Sequence, residues 1–336
     1  MDRDSVRGMG RTPHGSSNDP DVLDFSANTN PETPPGVEAV YREAFADATR
    51  YPAEPPERFR DAAAAYVDCA PEAVVPTPGG LAAIRLAVSL AIDPGDTALL
   101  PAPGFGEYER EVRLQGGEAV FHEAASMAAA DPSGHALVVV CAPNNPTGDG
   151  YDPTALRDLA ERCRAEDAVL LVDEAFLGFT DRPSMAGTPG VVVARALTKL
   201  FGLPGLRAGF AAATDELLAD LRTARRTWNV SAPALATGAY CMAQEKFVAE
   251  TRERVREERE RLRTGLSERF DVRPSEAPFL LLDAGGAGAE AVLAAAEDAG
   301  IAVRDARTFR GLDDHVRVAV RRPAENDRLL AALDDV

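Results

Sequence analysis

Between about residues 79 and 230, short and nearly uninterrupted apolar runs alternate with segments whose apolar positions recur every three to four residues. The runs are 97–100, 118–121, 136–142, 168–172, 190–196 and 206–212, and the helical patterns among them include 81–92 and 153–165. Strands that are apolar throughout must be covered on both faces, so the alternation predicts an α/β domain with a mostly parallel central sheet between helices. From about 234 to 268 the pattern is helical, and its second half, Glu250 to Arg263, places acids and bases three and four residues apart. A solvated helix laced with ion pairs is expected there. Short strands at 279–283, 301–303 and 316–320, with helices at 289–299 and 325–333, predict a smaller α+β domain. Residues 1–30 are polar and rich in Gly, Asn and Pro, which reads as an arm. The expected division is an arm 1–30, a small domain 31–48 and 234–336 that includes the long connecting helix, and a large ligand-binding domain 49–233.

Composition narrows the function classes. The 336-residue chain carries a formal net charge of −18, which argues against nucleic acid and acidic membranes, because phosphate contacts need clustered cations. No apolar run is long enough to span a bilayer, and the start Met1-Asp2-Arg3-Asp4 has no leader character, so a cytoplasmic protein is expected. Cys69, Cys141, Cys163 and Cys241 lack CxxC spacing and read as buried free thiols, with no metal site. Lysine occurs only at Lys199 and Lys246. Such a surface suggests a salt-adapted, haloarchaeal source. It also singles out Lys199, because Arg stays protonated and cannot form an imine at working pH, whereas Lys can.

Several short motifs carry chemistry. Arg195-Ala-Leu-Thr-Lys-Leu-Phe-Gly-Leu-Pro-Gly-Leu-Arg207 follows an apolar run and sets Lys199 among apolar neighbours, with Arg207 eight residues on. Val172-Asp-Glu-Ala-Phe176 puts Asp173 at a strand end, where ligand crevices form in open α/β sheets. Pro143-Asn-Asn-Pro-Thr-Gly148 is a turn after a strand. Thr77-Pro-Gly-Gly-Leu81 opens a helix whose unpaired N–H groups favour an anion. Phe105 and Tyr51 are isolated aromatics in Pro/Gly-rich contexts, and Arg317 and Arg321 share a strand face.

Together these segments resemble fold-type I enzymes that use pyridoxal 5′-phosphate (PLP), the class I/II aminotransferase superfamily, over nearly the whole chain. The resemblance implies that Lys199 holds PLP as a Schiff base and that Asp173 faces the pyridine nitrogen. It further implies that Phe105 stacks on the ring, that Asn145 bonds its 3′-oxygen, and that Gly79, Gly80, Leu81, Thr198 and Arg207 cradle the phosphate. Tyr51 would reach the phosphate of a neighbouring subunit in a homodimer with shared sites, and Arg317 would bind a substrate carboxylate. One departure is Ala196, where many members carry a hydroxyl on the phosphate.

Within the superfamily the chain looks like the histidinol-phosphate aminotransferase branch, which includes L-threonine O-3-phosphate decarboxylases of cobalamin synthesis. His14-Gly15 before the LDFSAN segment, Phe176 in place of the aminotransferase Tyr, and the ending from Arg304 to Asn326 favour the decarboxylase. The expected reaction is therefore loss of CO₂ from threonine phosphate to give (R)-1-amino-2-propanol O-2-phosphate, with His14, Asn28 and Arg304 on the substrate phosphate. The alternative is a histidinol-phosphate or other class I/II aminotransferase; a non-catalytic PLP-binding regulator fits poorly, since there is neither room nor charge for a DNA-binding domain. The charge pattern yields one prediction: the midpoint of urea unfolding should rise as salt is raised to molar concentration, and a midpoint indifferent to salt would contradict salt adaptation.

Overall fold

The computed structural model describes residues 1–17 and 19–336. In chain order it has α1 (Arg3–Gly8), β1 (Leu23–Asp24), α2 (Val37–Ala44), α3 (Glu57–Val67), β2 (Val74–Thr77), α4 (Gly80–Ala91), β3 (Thr97–Ala102), α5 (Glu107–Leu114), β4 (Glu118–Glu123), β5 (Leu137–Cys141) and α6 (Pro153–Ala165). There follow β6 (Val169–Asp173), β7 (Val191–Ala196), β8 (Gly209–Ala212), α7 (Asp215–Ala224), α8 (Ala232–Met242), α9 (Glu245–Leu266), β9 (Asp271–Val272) and β10 (Phe279–Asp283). The chain ends with α10 (Ala289–Asp298), β11 (Ile301–Ala302), β12 (Arg304–Asp305), β13 (His315–Ala319) and α11 (Pro323–Ala332). Among the described residues, no helix is long and apolar enough to cross a membrane.

β2 to β8 form one seven-stranded sheet in the order β2-β8-β7-β6-β5-β3-β4. All neighbours are parallel except β8, which runs antiparallel to both β2 and β7. Side chains alternate between the two faces: Val138 and Val140 of β5 enter one apolar cluster, while Leu137, Val139 and Cys141 enter the other. Both faces are covered, as the continuous apolar runs predict. The antiparallel β8 matters for the site, because its first residues lie at the same edge as the carboxyl ends of the parallel strands.

The smaller sheet is antiparallel, in the order β12-β13-β10-β9. β1 pairs with β11, Leu23 opposite Ile301 and Asp24 opposite Ala302. The segment expected to be part of an arm is therefore paired there in a separate two-stranded sheet. The expected boundary at 233/234 falls inside α8, which packs against α2 and α3. The long helical pattern of 234–268 is two helices: Gln244 leaves helical geometry (φ −88°, ψ 62°), and its Nε2 donates to the Tyr240 carbonyl at 3.2 Å, capping α8. No Gly or Pro marks the break, so periodicity runs straight across it.

α9 carries the expected ion pairs, including Arg263 with Glu260 at 2.6 Å and Arg261 with Glu258 at 2.7 Å. It is also more than a solvated helix. Arg254 donates to Asn30 Oδ1 at 2.6 Å, and Arg259 donates to the carbonyls of Glu276 and Ala277 at 3.1 Å each. Asn30 in turn donates to the Leu200 carbonyl at 2.8 Å, just beyond Lys199. Cys141, Cys163 and Cys241 are buried free thiols, while Cys69 is partly exposed.

The backbone of β8 runs close to the end of β7 and the start of α4. A Cβ at Gly209 would come within 2.5 Å of the Arg195 carbonyl and 2.7 Å of the Gly79 carbonyl carbon. Gly209→Ala should therefore lower stability by about 1–3 kcal/mol through forced backbone shifts, read as a lower urea midpoint; an unchanged midpoint would show that the two turns can part freely.

Candidate active site

Four adjacent strands end at one edge and supply one residue each. β7 leads into Lys199, β6 ends on Asp173, β5 leads to Asn145 and β3 to Phe105. These residues line a cavity of about 360 Å³ together with Gly80, Leu81, Thr198, Arg207, Asn28, His14, Arg304 and Arg317. Gly79 lies just outside the lining, its φ at +94° and its open side against Arg207: a Cβ there would stand 2.7 Å from Arg207 Nη2. Tyr51 is absent from the lining and stands on the surface.

Lys199 is the amine of the cavity. Burial, then the cations Arg317 and Arg207, push it down to about 8, against the opposing pull of Asp173 and Asp24. At pH 7 roughly one such lysine in ten is a free amine, against about one in three thousand at the ordinary value near 10.5. Its Nζ lies 6.0 Å from the Phe176 ring centroid, and that ring packs edge-on against Phe279 at 5.1 Å. The Phe at 176 thus has a packing role of its own.

Asp173 is buried and accepts two hydrogen bonds, from Tyr108 Oη to Oδ2 at 2.6 Å and from the Ala175 N–H to Oδ1 at 3.0 Å. Burial raises its pKa, while these two donors and Lys199 work against the rise by favouring the carboxylate. Tyr108 is itself fully buried with its pKa pushed well above the ordinary value, first by burial and then by Asp173, so it keeps the proton it donates to Asp173. The sequence reading missed Tyr108. Its signal was the position three residues after Phe105, across the turn that opens α5, and the two rings meet edge-on at 5.5 Å.

The opposite wall is cationic. Arg304 of β12 and Arg317 of β13 are directly opposite each other in register. Arg317 is buried between Phe279 and Phe309, donates to Asn145 Oδ1 and, at 3.0 Å, to the Ser26 carbonyl. Burial, then Arg304, push it down to about 9, so it remains a cation at neutral pH. Its Nε and Asn28 Oδ1 are buried without a partner. Arg304 lies over Phe309 and donates to the Pro13 carbonyl at 2.9 Å and to Thr308 Oγ1 at 2.7 Å. His14, exposed on the arm, meets Glu107 at 3.1 Å and lies 5.8 Å from Phe105. Ser26 lies in the LDFSAN segment, and Thr308 and Phe309 in the ending that starts at Arg304, but the sequence reading assigned none of the three a site role; only folding brings them to the cavity.

These residues fit PLP. A partly desolvated amine, a carboxylate held by two donors and a positive corner at the start of α4 match its aldehyde, pyridine nitrogen and phosphate in kind. The corner comprises Gly80, Leu81, Thr198 and Arg207, with Arg207 exposed. A Cβ at Gly80 would meet the Ala196 Cβ at 3.0 Å, so the methyl of Ala196 packs against the start of α4 and offers no hydroxyl there.

The sequence matches the family Aminotransferase class I and II over residues 20–333. A histidinol-phosphate aminotransferase of Symbiobacterium thermophilum is 34% identical over 331 residues, covering 93% of this chain and 90% of that protein. Two solved structures have the same fold at a TM-score of 0.84 and 24% identity, each covering 94% of this chain. One is the histidinol-phosphate aminotransferase of Clostridium acetobutylicum, 98% covered, and the other the L-threonine-O-3-phosphate decarboxylase of Porphyromonas gingivalis, 99% covered. The expectation of threonine-phosphate decarboxylation is overturned: sequence similarity runs to histidinol-phosphate aminotransferases, and the decarboxylase is met at a level that carries the fold alone. Both reactions use this fold, so His14, Phe176 and the terminal segment did not discriminate between them.

The lowered lysine makes a pH prediction. Only the free amine condenses with PLP, so capture of PLP by the apoprotein should speed up about tenfold per pH unit below 8 and level off above it, followed by the visible absorbance of lysine-bound cofactor. A rate still climbing at pH 10 would contradict a lowered Lys199.

Proposed function

The chain belongs to the aminotransferase class I and II family, with PLP as its cofactor, and on that premise we propose that it transfers the amino group of histidinol phosphate to 2-oxoglutarate. The observation that supports this best is the register pair Arg304 and Arg317 on the wall facing Lys199. A transaminase receives two substrates in turn in one cavity. Histidinol phosphate brings a phosphate and no carboxylate, and 2-oxoglutarate brings two carboxylates. Two guanidinium groups side by side can serve both, since each forms charge-assisted, bidentate bonds to either anion.

When bound, PLP supplies an aldehyde carbon for condensation with an amine and a pyridine ring that withdraws electrons from the substrate Cα. Asp173, held by Tyr108 and Ala175, keeps the proton on the pyridine nitrogen. Lys199 would hold the cofactor through its amine and, when freed, would serve as the base that moves the Cα proton. Arg317, braced by Asn145 and the Ser26 carbonyl, would orient the carboxylate next to the reacting carbon of 2-oxoglutarate. Arg304, with Asn28 and His14, takes the phosphate of histidinol phosphate or the distal carboxylate of 2-oxoglutarate. Gly79, Gly80, Leu81, Thr198 and Arg207 would hold the cofactor phosphate, with Tyr51 supplied by a second copy in a homodimer.

Purified holoenzyme given histidinol phosphate and 2-oxoglutarate should form glutamate, and Arg304→Ala should raise the KM of both substrates about 10- to 100-fold through loss of one charged hydrogen-bonding group. Release of CO₂ from threonine phosphate, with no turnover of 2-oxoglutarate, would overturn this reading.

A further inference from the structure

Trp228 is the single tryptophan of the chain, and it occupies a backbone position that disfavours bulk. Its φ is +56°, in the left-handed region where Gly or Asn is usual. Burial does not account for it, since it is 48% exposed. Its indole stacks on Tyr51, ring centroids 4.2 Å apart and planes within 22°. Tyr51 is 76% exposed, so the stacked pair projects from the surface, and neither ring lines the cavity of its own chain. An aromatic pair held outward on unfavourable backbone points to a role outside the packing of its own subunit.

The backbone beneath the pair is firmly anchored. Glu54 accepts from the Trp228 N–H at 3.4 Å and pairs with Arg225. Arg225 donates to Asn229 Oδ1 at 2.9 Å, and Asn229 Nδ2 donates to the Pro76 carbonyl of β2 at 3.1 Å. The phosphate corner, for its part, is short of donors at Ala196 and opens outward, because Pro204 and Arg207 are exposed. A group from outside the chain can reach it.

We propose that Trp228 is a positioning residue that holds the Tyr51 ring so that its hydroxyl reaches the PLP phosphate bound in a second copy of this chain. The inference rests on the reading of Tyr51 as a phosphate ligand across a homodimer. An exposed Tyr on its own samples several rotamers; a flat indole against one face fixes the ring plane and leaves the hydroxyl end free. The gain is preorganisation, with no direct contact between Trp228 and the cofactor required.

The test is a double-mutant cycle on the dimer, with PLP affinity measured by equilibrium dialysis and assembly by sedimentation. Trp228→Ala should weaken PLP binding about three- to tenfold, the range expected for one aromatic pair, and Trp228→Phe should restore most of it. In a Tyr51→Ala background, Trp228→Ala should change nothing further. Because the chain has one indole, its fluorescence supplies a second readout: loading PLP should quench it by energy transfer to the lysine-bound cofactor across the interface. If the alanine variant does not assemble, Trp228→Leu, which keeps bulk without a flat face, carries the same expectations. Equal losses from Trp228→Ala with and without Tyr51 would overturn the positioning role. So would unchanged PLP affinity in Trp228→Ala alongside weakened binding in Tyr51→Phe. Unchanged affinity in both Tyr51→Phe and Tyr51→Ala would overturn the reading of Tyr51 itself.

Discussion

A sheet that is apolar on both faces has no place for charge except at the ends of its strands, and the chemistry of this protein follows from that restriction. β7, β6, β5 and β3 are neighbours and parallel, so their carboxyl ends form one edge, and Lys199, Asp173, Asn145 and Phe105 meet there without any long excursion of the chain. The reversed β8 brings Arg207 to the same edge, because its amino end lies where the others finish. The small antiparallel sheet closes the opposite side, and its β12/β13 register sets Arg304 beside Arg317.

Burial acts in opposite directions on the two groups at the centre. It lowers Lys199 and raises Asp173. Against the second effect Asp173 receives two donors, whereas at Lys199 the cations Arg317 and Arg207 add to burial and are only partly opposed by Asp173 and Asp24. The surplus of positive charge on the Arg304/Arg317 wall suits anionic ligands, and it stands out in a chain whose overall charge is −18.

Much of this was legible because apolar runs mark strands and the punctuation after each run marks the residues that face the crevice. The runs at 118–121 and 136–142 differ from β4 and β5 by only one or two residues. What was not legible depends on contacts between distant segments. Tyr108 is visible as a residue but not as a donor to Asp173, and the pairing of Leu23 with Ile301 joins ends of the chain that no local pattern relates. The break between α8 and α9 rests on a side-chain cap by Gln244, without a helix-breaking residue. The reaction was misread for a different reason: residues at the rim, such as His14, and packing residues, such as Phe176, were given weight that belongs to whole-chain similarity.

The bond from Arg304 to the Pro13 carbonyl couples two things that otherwise look separate. The guanidinium that steadies the amino-terminal arm also faces the cavity, and its bonds to Pro13 and Thr308 both come from Nη2. An anion that draws a donor away from Pro13 loosens the arm, and an arm that is firmly seated competes for the donor. By linkage, whatever free energy an anion at Arg304 took from the seating of residues 12–15, that seating would take from the anion.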